Sequence, residues 1–213
     1  MERSRSQRMV WADYGFPDAC DVDPVSGDLA VSEFTNPEGD AGAVTVFASP
    51  LHADYYLKPA GMWECLSVAY DDRGNLNADG YADSSSVVAR LARGALAFRT
   101  IHLHGKGFRG LGTLGGMQRN GRFVTISVGA ASQGYSYIYR FSGSVVAGVT
   151  LLQDAPAGGQ YTIFGKAAKQ KIIEASQTPS QLQTYAYPAG QLPTKRFAVP
   201  KGSYDVLLTQ TSK

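Results

Sequence analysis

The chain of 213 residues is poor in cysteine and in charge, and almost without helical periodicity. Its two cysteines, Cys20 and Cys65, are too few for a disulfide framework or for a zinc site made of cysteine alone. Charged residues make up 18%, with 20 Lys and Arg against 18 Asp and Glu, a formal net charge of +2. That balance gives no strong field toward nucleic acid or an anionic membrane. No run of about 18 apolar residues exists, which excludes a spanning helix. The start, MERSRSQRMV, is basic and polar and reads as a disordered segment over residues 1–8. It lacks the apolar stretch of roughly 7–15 residues that a secretory signal requires. Either the protein is cytosolic or its true N-terminus lies upstream, so the compartment stays open.

What the chain does have is apolar content, 44% hydrophobic residues with 24 Gly, which argues against disorder. The length suits one all-β domain or at most two small ones. The best helix candidate, SSVVARLARGALAF over 85–98, carries the β-branched pair Val87-Val88 and Gly94, both unfavourable in a helix. Elsewhere, short runs rich in Val, Ile, Tyr, Phe and Thr alternate with Gly, Pro, Asp and Asn, the pattern of strands and tight turns.

These turns repeat. Ser26-Gly27, Arg73-Gly74, Asn120-Gly121 and Lys169-Gln170 each separate two strand-like runs, at intervals of about 47, 47 and 49 residues. Glycine supplies the positive φ that hairpin turns need; Lys169-Gln170 has none. A second set of breaks, at 48–50, 92–94, 142–144 and 188–190, closes a third run and opens a fourth. Each unit therefore reads as four antiparallel strands. A period near 40–50 residues with four strands is the mark of a β-propeller blade. One such meander cannot cover its own two faces; stacking against neighbours does so. The expected architecture is all-β, a single propeller over 9–213 with blades at roughly 19–59, 62–106, 111–157 and 160–200. MVWADYGF and SYDVLLTQ read as partial strands of blades before and after these four. The expectation is a partial ring whose open terminal blades favour self-association.

The stretches YGFPDACDVDPVSGDLAV, VAYDDRGNLNADG and TYAYPAGQLPTKRF resemble bacterial β-propellers of the NHL and SMP-30-like superfamily, in particular an often exported group. The resemblance runs from about Trp11 to Leu207 and rests on turn and strand chemistry. It implies about six blades and leaves activity open. SMP-30-like lactonases hold a divalent cation with one Glu, two Asn and one Asp drawn from several blades. Here Asn75, Asn77 and Asp79 alternate on one strand, which departs from that pattern and reads as turn chemistry and edge solvation.

Other residues carry candidate chemistry. His102 and His104 share one face if they lie on a strand, yet a metal site needs about three protein ligands; they read as an outer polar face. Asp18, Asp21 and Asp23 crowd the first inner strand, with Glu64 at the matching place in the next blade. They are candidates for raised pKa values or cation binding; the plainer reading has Asp23-Pro24 opening a turn and Asp18 satisfying backbone. GKGFRG at 105–110 matches a dinucleotide fingerprint, but no helix follows it. No cofactor is expected. Cys20 and Cys65 fall at nearly equivalent places in adjacent blades, so they are either a disulfide or separate small hydrophobes. Trp11, Tyr14, Phe16, Trp63 and Phe108 sit near blade junctions, where aromatics wedge between sheets or stack on a ligand.

The resulting expectation is a non-enzymatic scaffold that binds a protein, peptide or carbohydrate through rim loops at 15–18, 61–64 and 108–111. Phe16, Asp18, Trp63, Glu64, Phe108 and Arg109 are the candidate ligand-binding residues. The competing readings are a metal-dependent hydrolase or lyase of the SMP-30-like type, and a segment without independent activity.

Overall fold

A computed structural model describes residues 16–35, 41–48, 52–59, 61–130, 134–155, 160–165, 169–177 and 180–199. Trp11, Tyr14, residues 1–8, SYDVLLTQ and all of MVWADYGF except Phe16 lie outside that set.

The described residues form sixteen strands and no α-helix. Blade 1 comprises β1 (Pro17–Val22), β2 (Leu29–Glu33), β3 (Ala43–Ala48) and β4 (His52–Leu57). Blade 2 comprises β5 (Glu64–Tyr70), β6 (Leu76–Ala82), β7 (Ser85–Leu91) and β8 (Arg99–Ile101). Blade 3 comprises β9 (Thr113–Asn120), β10 (Phe123–Ala130), β11 (Tyr135–Ser142) and β12 (Val145–Gln153). Blade 4 comprises β13 (Tyr161–Phe164), β14 (Lys171–Gln177), β15 (Ser180–Ala186) and β16 (Gly190–Ala198). Within each blade, consecutive strands pair antiparallel. The first strands lie innermost, β5 meeting both β1 and β9, and β9 meeting β13. The fold is a β-propeller of four-stranded antiparallel blades. The stretch 85–98, whose β-branched pair and glycine speak against a helix, holds β7 and the turn after it.

The core shows why no blade stands alone. Val68 and Tyr70 on β5 turn toward Ala30, Val44 and Val46 of blade 1. Ala69, between them, turns toward Val124, Ile126 and Val128 of blade 3. In the same way Tyr139 and Phe141 face blade 2, while Ile138 faces Tyr161, Ile172 and Tyr185 of blade 4. A strand's side chains alternate between faces, so both faces of the inner blades are apolar and buried. Each large side chain removed from water contributes about 1.5–3 kcal/mol, and that gain exists only when the neighbouring blade is present.

Three local readings change. The turn into β14 is longer than Lys169-Gln170, because Phe164 pairs with Lys171; Gly165 supplies the positive φ, at 94°. Strand β8 ends at Ile101, so His102 and His104 do not share a strand face. His104 forms a separate parallel bridge to Val145. Finally, β12 and β16 meet through a parallel bridge between Leu152 and Gln191, which joins blades 3 and 4 into one eight-stranded sheet. Gly190 allows this approach: its φ is 65°, and a Cβ there would overlap the Leu151 carbonyl oxygen.

Candidate functional site

The 108–112 segment leads from blade 2 into β9 along one rim, and the β6–β7 turn stands beside it on that rim. Between them lies a cleft of about 740 Å³. The Ser86 hydroxyl donates to the Gly112 carbonyl at 2.5 Å, tying the wall of blade 2 to the loop. Tyr81 and Phe108 supply the aromatic surface, and Ser84, Ser85, Thr100 and Thr113 supply hydroxyls. His102 lines the outer part. Among the described residues, no Asp, Glu, Lys or Arg lines it.

Of the six candidate residues, Phe108 lines this cleft, and Trp63, Glu64 and Arg109 neighbour residues that do. Phe108 lines it and sets its ring edge-on to Tyr139, with centroids 5.0 Å apart. The Arg109 N–H donates to the Tyr139 hydroxyl at 3.2 Å, and its guanidinium lies 6.0 Å over the Tyr137 ring. The Trp63 ring lies 6.2 Å from that of Tyr81, and its Nε1 donates to the Asp83 carbonyl at 2.8 Å. Glu64 opens β5 opposite Tyr81; partial burial pushes its carboxyl pKa up. Phe16 and Asp18 stand one blade away at the start of β1. Phe16 is 72% exposed, and its carbonyl accepts from the Phe34 N–H at 2.8 Å. Asp18 is exposed at a bulge in β1. Trp63 and Glu64 thus reach the cleft only through Tyr81, and neither they nor Phe16 and Asp18 line it.

Tyr81, Ser84, Ser85 and Thr113 escape sequence reading. A hydroxyl in a β-turn reads as turn chemistry, and nothing local reports that another blade's loop faces it.

Asp21, Asp23 and Asp79 have structural partners. Asp23 caps its own turn, accepting from the Val25 N–H at 2.9 Å and the Ser26 hydroxyl at 2.7 Å. Asp21 accepts from the Tyr70 N–H at 2.8 Å, a bond from blade 2 to blade 1. Asn75 does serve a turn, donating to both carboxylate oxygens of Asp71. Asn77 and Asp79 are not edge-solvated: both are buried, Asn77 donating to the Ala69 carbonyl and Asp79 accepting from Ser67. Burial pushes the Asp79 carboxyl up to about 7 and Glu174 up to about 8. Among the described residues, no group of three His, Cys, Asp or Glu side chains stands together in a metal-binding arrangement.

The two thiols are free, Cys20 exposed and Cys65 buried. Their places are not equivalent. Counted back from the turn, Val22 pairs with Leu29 and Tyr70 with Leu76, so Cys20 corresponds to Val68 rather than to Cys65.

No family model matches the chain, and no curated protein matches it. Solved structures do. Hydrazine synthase from Kuenenia stuttgartiensis superimposes with a TM-score of 0.61 at 10% identity, over 91% of this chain and 52% of that one. A neuraminidase-like protein from A/bat/Guatemala/164/2009 superimposes with a TM-score of 0.52 at 11% identity, over 84% of this chain and 54% of that one. The chain spans about half the length of these solved chains. Both are β-propellers, and at such identities the likeness concerns the fold alone: the chain has the β-propeller fold.

Proposed function

We propose that the chain is a non-enzymatic β-propeller scaffold that binds a neutral carbohydrate in the rim cleft between blades 2 and 3. The observation that carries this reading is the lining: two aromatic rings, several hydroxyls and the His102 imidazole, with no carboxylate, ammonium or guanidinium among the described residues. Sugar rings present apolar C–H faces that stack on aromatics and hydroxyls that both donate and accept, and Ser, Thr and Tyr match them in both roles. The volume falls within the range of about 300–1,000 Å³ typical of small-ligand sites. A charged peptide would find no carboxylate, ammonium or guanidinium among the described lining residues. Trp63, Glu64 and Arg109 form its border, and Phe16 and Asp18 meet the distal end of an extended oligosaccharide.

Calorimetric titration with neutral tetrasaccharides tests the reading. Binding is expected, with loss of at least about tenfold in affinity for Phe108→Ala. Phe108 also packs on Tyr139, so Ser85→Trp is the companion variant: it fills the cleft from an exposed position and abolishes binding without lowering Tm. Failure of every neutral glycan, or binding that survives Ser85→Trp, overturns the proposal.

A further inference from the structure

Blade 2 ends its outermost strand early, and the rim cleft lies where that strand stops. Strand β8 is only Arg99–Ile101, and it pairs with Val88, Ala89 and Arg90 of β7. In blades 1 and 3 the fourth strand runs along nearly the whole third strand. After Ile101 the chain leaves the sheet, and His104 bridges to Val145 of blade 3. Ser85, Ser86 and Val87 at the start of β7 therefore have no outer neighbour strand, and all three line the cleft.

The hairpin decides which of their backbone groups face outward. Asp83-Ser84 alone joins β6 to β7, with Ala82 opposite Ser85. Asp83 has the positive φ such a turn uses, 51°. The residues that close a two-residue hairpin exchange both hydrogen bonds, and along the ladder such pairs alternate with pairs that do not. Ser85, Val87 and Ala89 thus bond to β6, while Ser86, Val88 and Arg90 point outward. Val88 and Arg90 meet Ile101 and Arg99. The Ser86 N–H and C=O have no hydrogen-bond partner among the described residues. The Ser86 hydroxyl is already engaged, donating to Gly112.

We infer that the Ser86 N–H and C=O are the polar anchor of the cleft and select a sugar with free hydroxyls on two adjacent carbons. One hydroxyl accepts from the N–H and the other donates to the C=O, and a hydroxyl serves in either role. The two backbone groups of one strand residue point the same way, side by side, which suits neighbouring hydroxyls and not hydroxyls across a ring. Tyr81 stands opposite Ser86 on β6, and Phe108 lines the same cleft, so the sugar stacks on a ring while its edge is bonded. A free sheet edge also invites a peptide strand. Here a strand would gain the bonds of one residue only, because Ser84 belongs to the turn and Val88 is taken by β8. This inference rests on the carbohydrate reading of the cleft and names what that sugar must carry.

The test is an NMR titration of the isotope-labelled full chain, following backbone amides. The probes are the trans vicinal cyclohexanediol and its isomer with hydroxyls on opposite carbons of the ring. The vicinal diol is expected to shift the Ser86 amide and to bind at least about fivefold tighter than the isomer. In the free chain the Ser86 N–H is expected to exchange with solvent at least about tenfold faster than that of Val88, and to slow on binding. Ser86→Ala removes only the bond to Gly112. Ser86→Pro removes the N–H as well, at a place where the β6 ladder does not use it, and is expected to bind the vicinal diol at least about fivefold more weakly than Ser86→Ala. Equal binding of the two isomers, an unmoved Ser86 amide, or equal affinity in the two variants overturns the inference. So does protection of Ser86 by an extended hexapeptide and by neither diol, which would make the edge a peptide site. Tetrasaccharide binding with the Ser86 amide unmoved removes this inference alone. A vicinal diol seated at Ser86 with no tetrasaccharide bound removes the carbohydrate reading and leaves the anchor standing.

Discussion

The Ser67 hydroxyl donates to Asp79 Oδ1 at 2.6 Å, linking β5 to β6 where neither side chain is exposed. Asp79 pairs with Val88, whose side chain joins the core between blades 2 and 3, so the carboxyl faces that core. Its other oxygen has no hydrogen-bond partner among the described residues.

That arrangement fixes the sign of a pH dependence. Burial holds Asp79 at about 7, whereas in an unfolded chain its value is near 3.9. Between roughly pH 4 and 7 the native state therefore keeps a proton that the unfolded chain has released. Stability is fully present at the acid end of this window and falls as pH rises through it. Glu174, held at about 8, carries the decline slightly higher. Asp79→Asn keeps an acceptor for Ser67 and has no charge to bury. Urea unfolding at pH 5 and pH 8 is expected to show a drop for the parent chain, on the order of 2–4 kcal/mol from Asp79, that shrinks by about that amount in the variant. An equal drop in both would refute the assignment.

A second buried relay crosses between blades 3 and 4. The Tyr161 hydroxyl donates to Thr125 Oγ1 at 2.7 Å, and Thr125 Oγ1 donates to the Gln118 carbonyl at 3.1 Å. Tyr161→Phe removes a donor and leaves Thr125 with its own bond to Gln118, at an expected cost of about 1 kcal/mol. Thr125→Val leaves the Tyr161 hydroxyl without its acceptor, at an expected cost of about 1–3 kcal/mol. Denaturant midpoints of the two variants measure this order, and a reversed order contradicts the donor assignment.

Turn residues made the fold legible, because their information is local. Gly27, Gly74, Gly121 and Gly143 all adopt positive φ, as a glycine between two β-rich runs announces. The turn at 165–170 misled because its glycine stands at the start, directly after β13. The cleft was legible only through Phe108 and, at its border, Trp63, Glu64 and Arg109, which the strand-to-strand connections bring to one rim. Tyr81 and the serines of 84–86 carry no signal apart from the loop that faces them. Glu33, Asp79 and Glu174 were unreadable for a related reason. Their strands are buried on both faces, so a polar residue in the alternation does not mark the solvent side.

Two glycines with nearly the same backbone are expected to respond differently to a methyl group. Gly121 has φ 60° and open space where a Cβ would stand. Gly190 has φ 65° and the Leu151 carbonyl in that place. Gly121→Ala incurs conformational strain alone, about 1 kcal/mol. Gly190→Ala adds a backbone overlap and is expected to exceed it by at least about 2 kcal/mol, through loss of the β12–β16 contact. Thermal unfolding of the pair provides the measurement, and equal losses would mean that blades 3 and 4 do not depend on this approach.

The thiols provide a chemical probe of the blade interface. Cys65 is 0% exposed, packed between blades 1 and 2, and burial followed by the charges of Asp79, Asp18 and Glu33 pushes its pKa well up. Cys20 is exposed, with a pKa raised by partial burial and then by Asp21. The thiolate is the reactive form, so both groups alkylate slowly near neutral pH, and access separates them. Iodoacetamide on the native chain at pH 8 is expected to add one group, at Cys20, as read by mass spectrometry of the peptides. Cys65 is modified only once blade 2 has separated from blade 1, so its rate follows denaturant concentration. Modification of Cys65 at the Cys20 rate in native buffer would mean that the two blades part readily, contrary to the packing of Val68 and Tyr70 against Val44 and Val46.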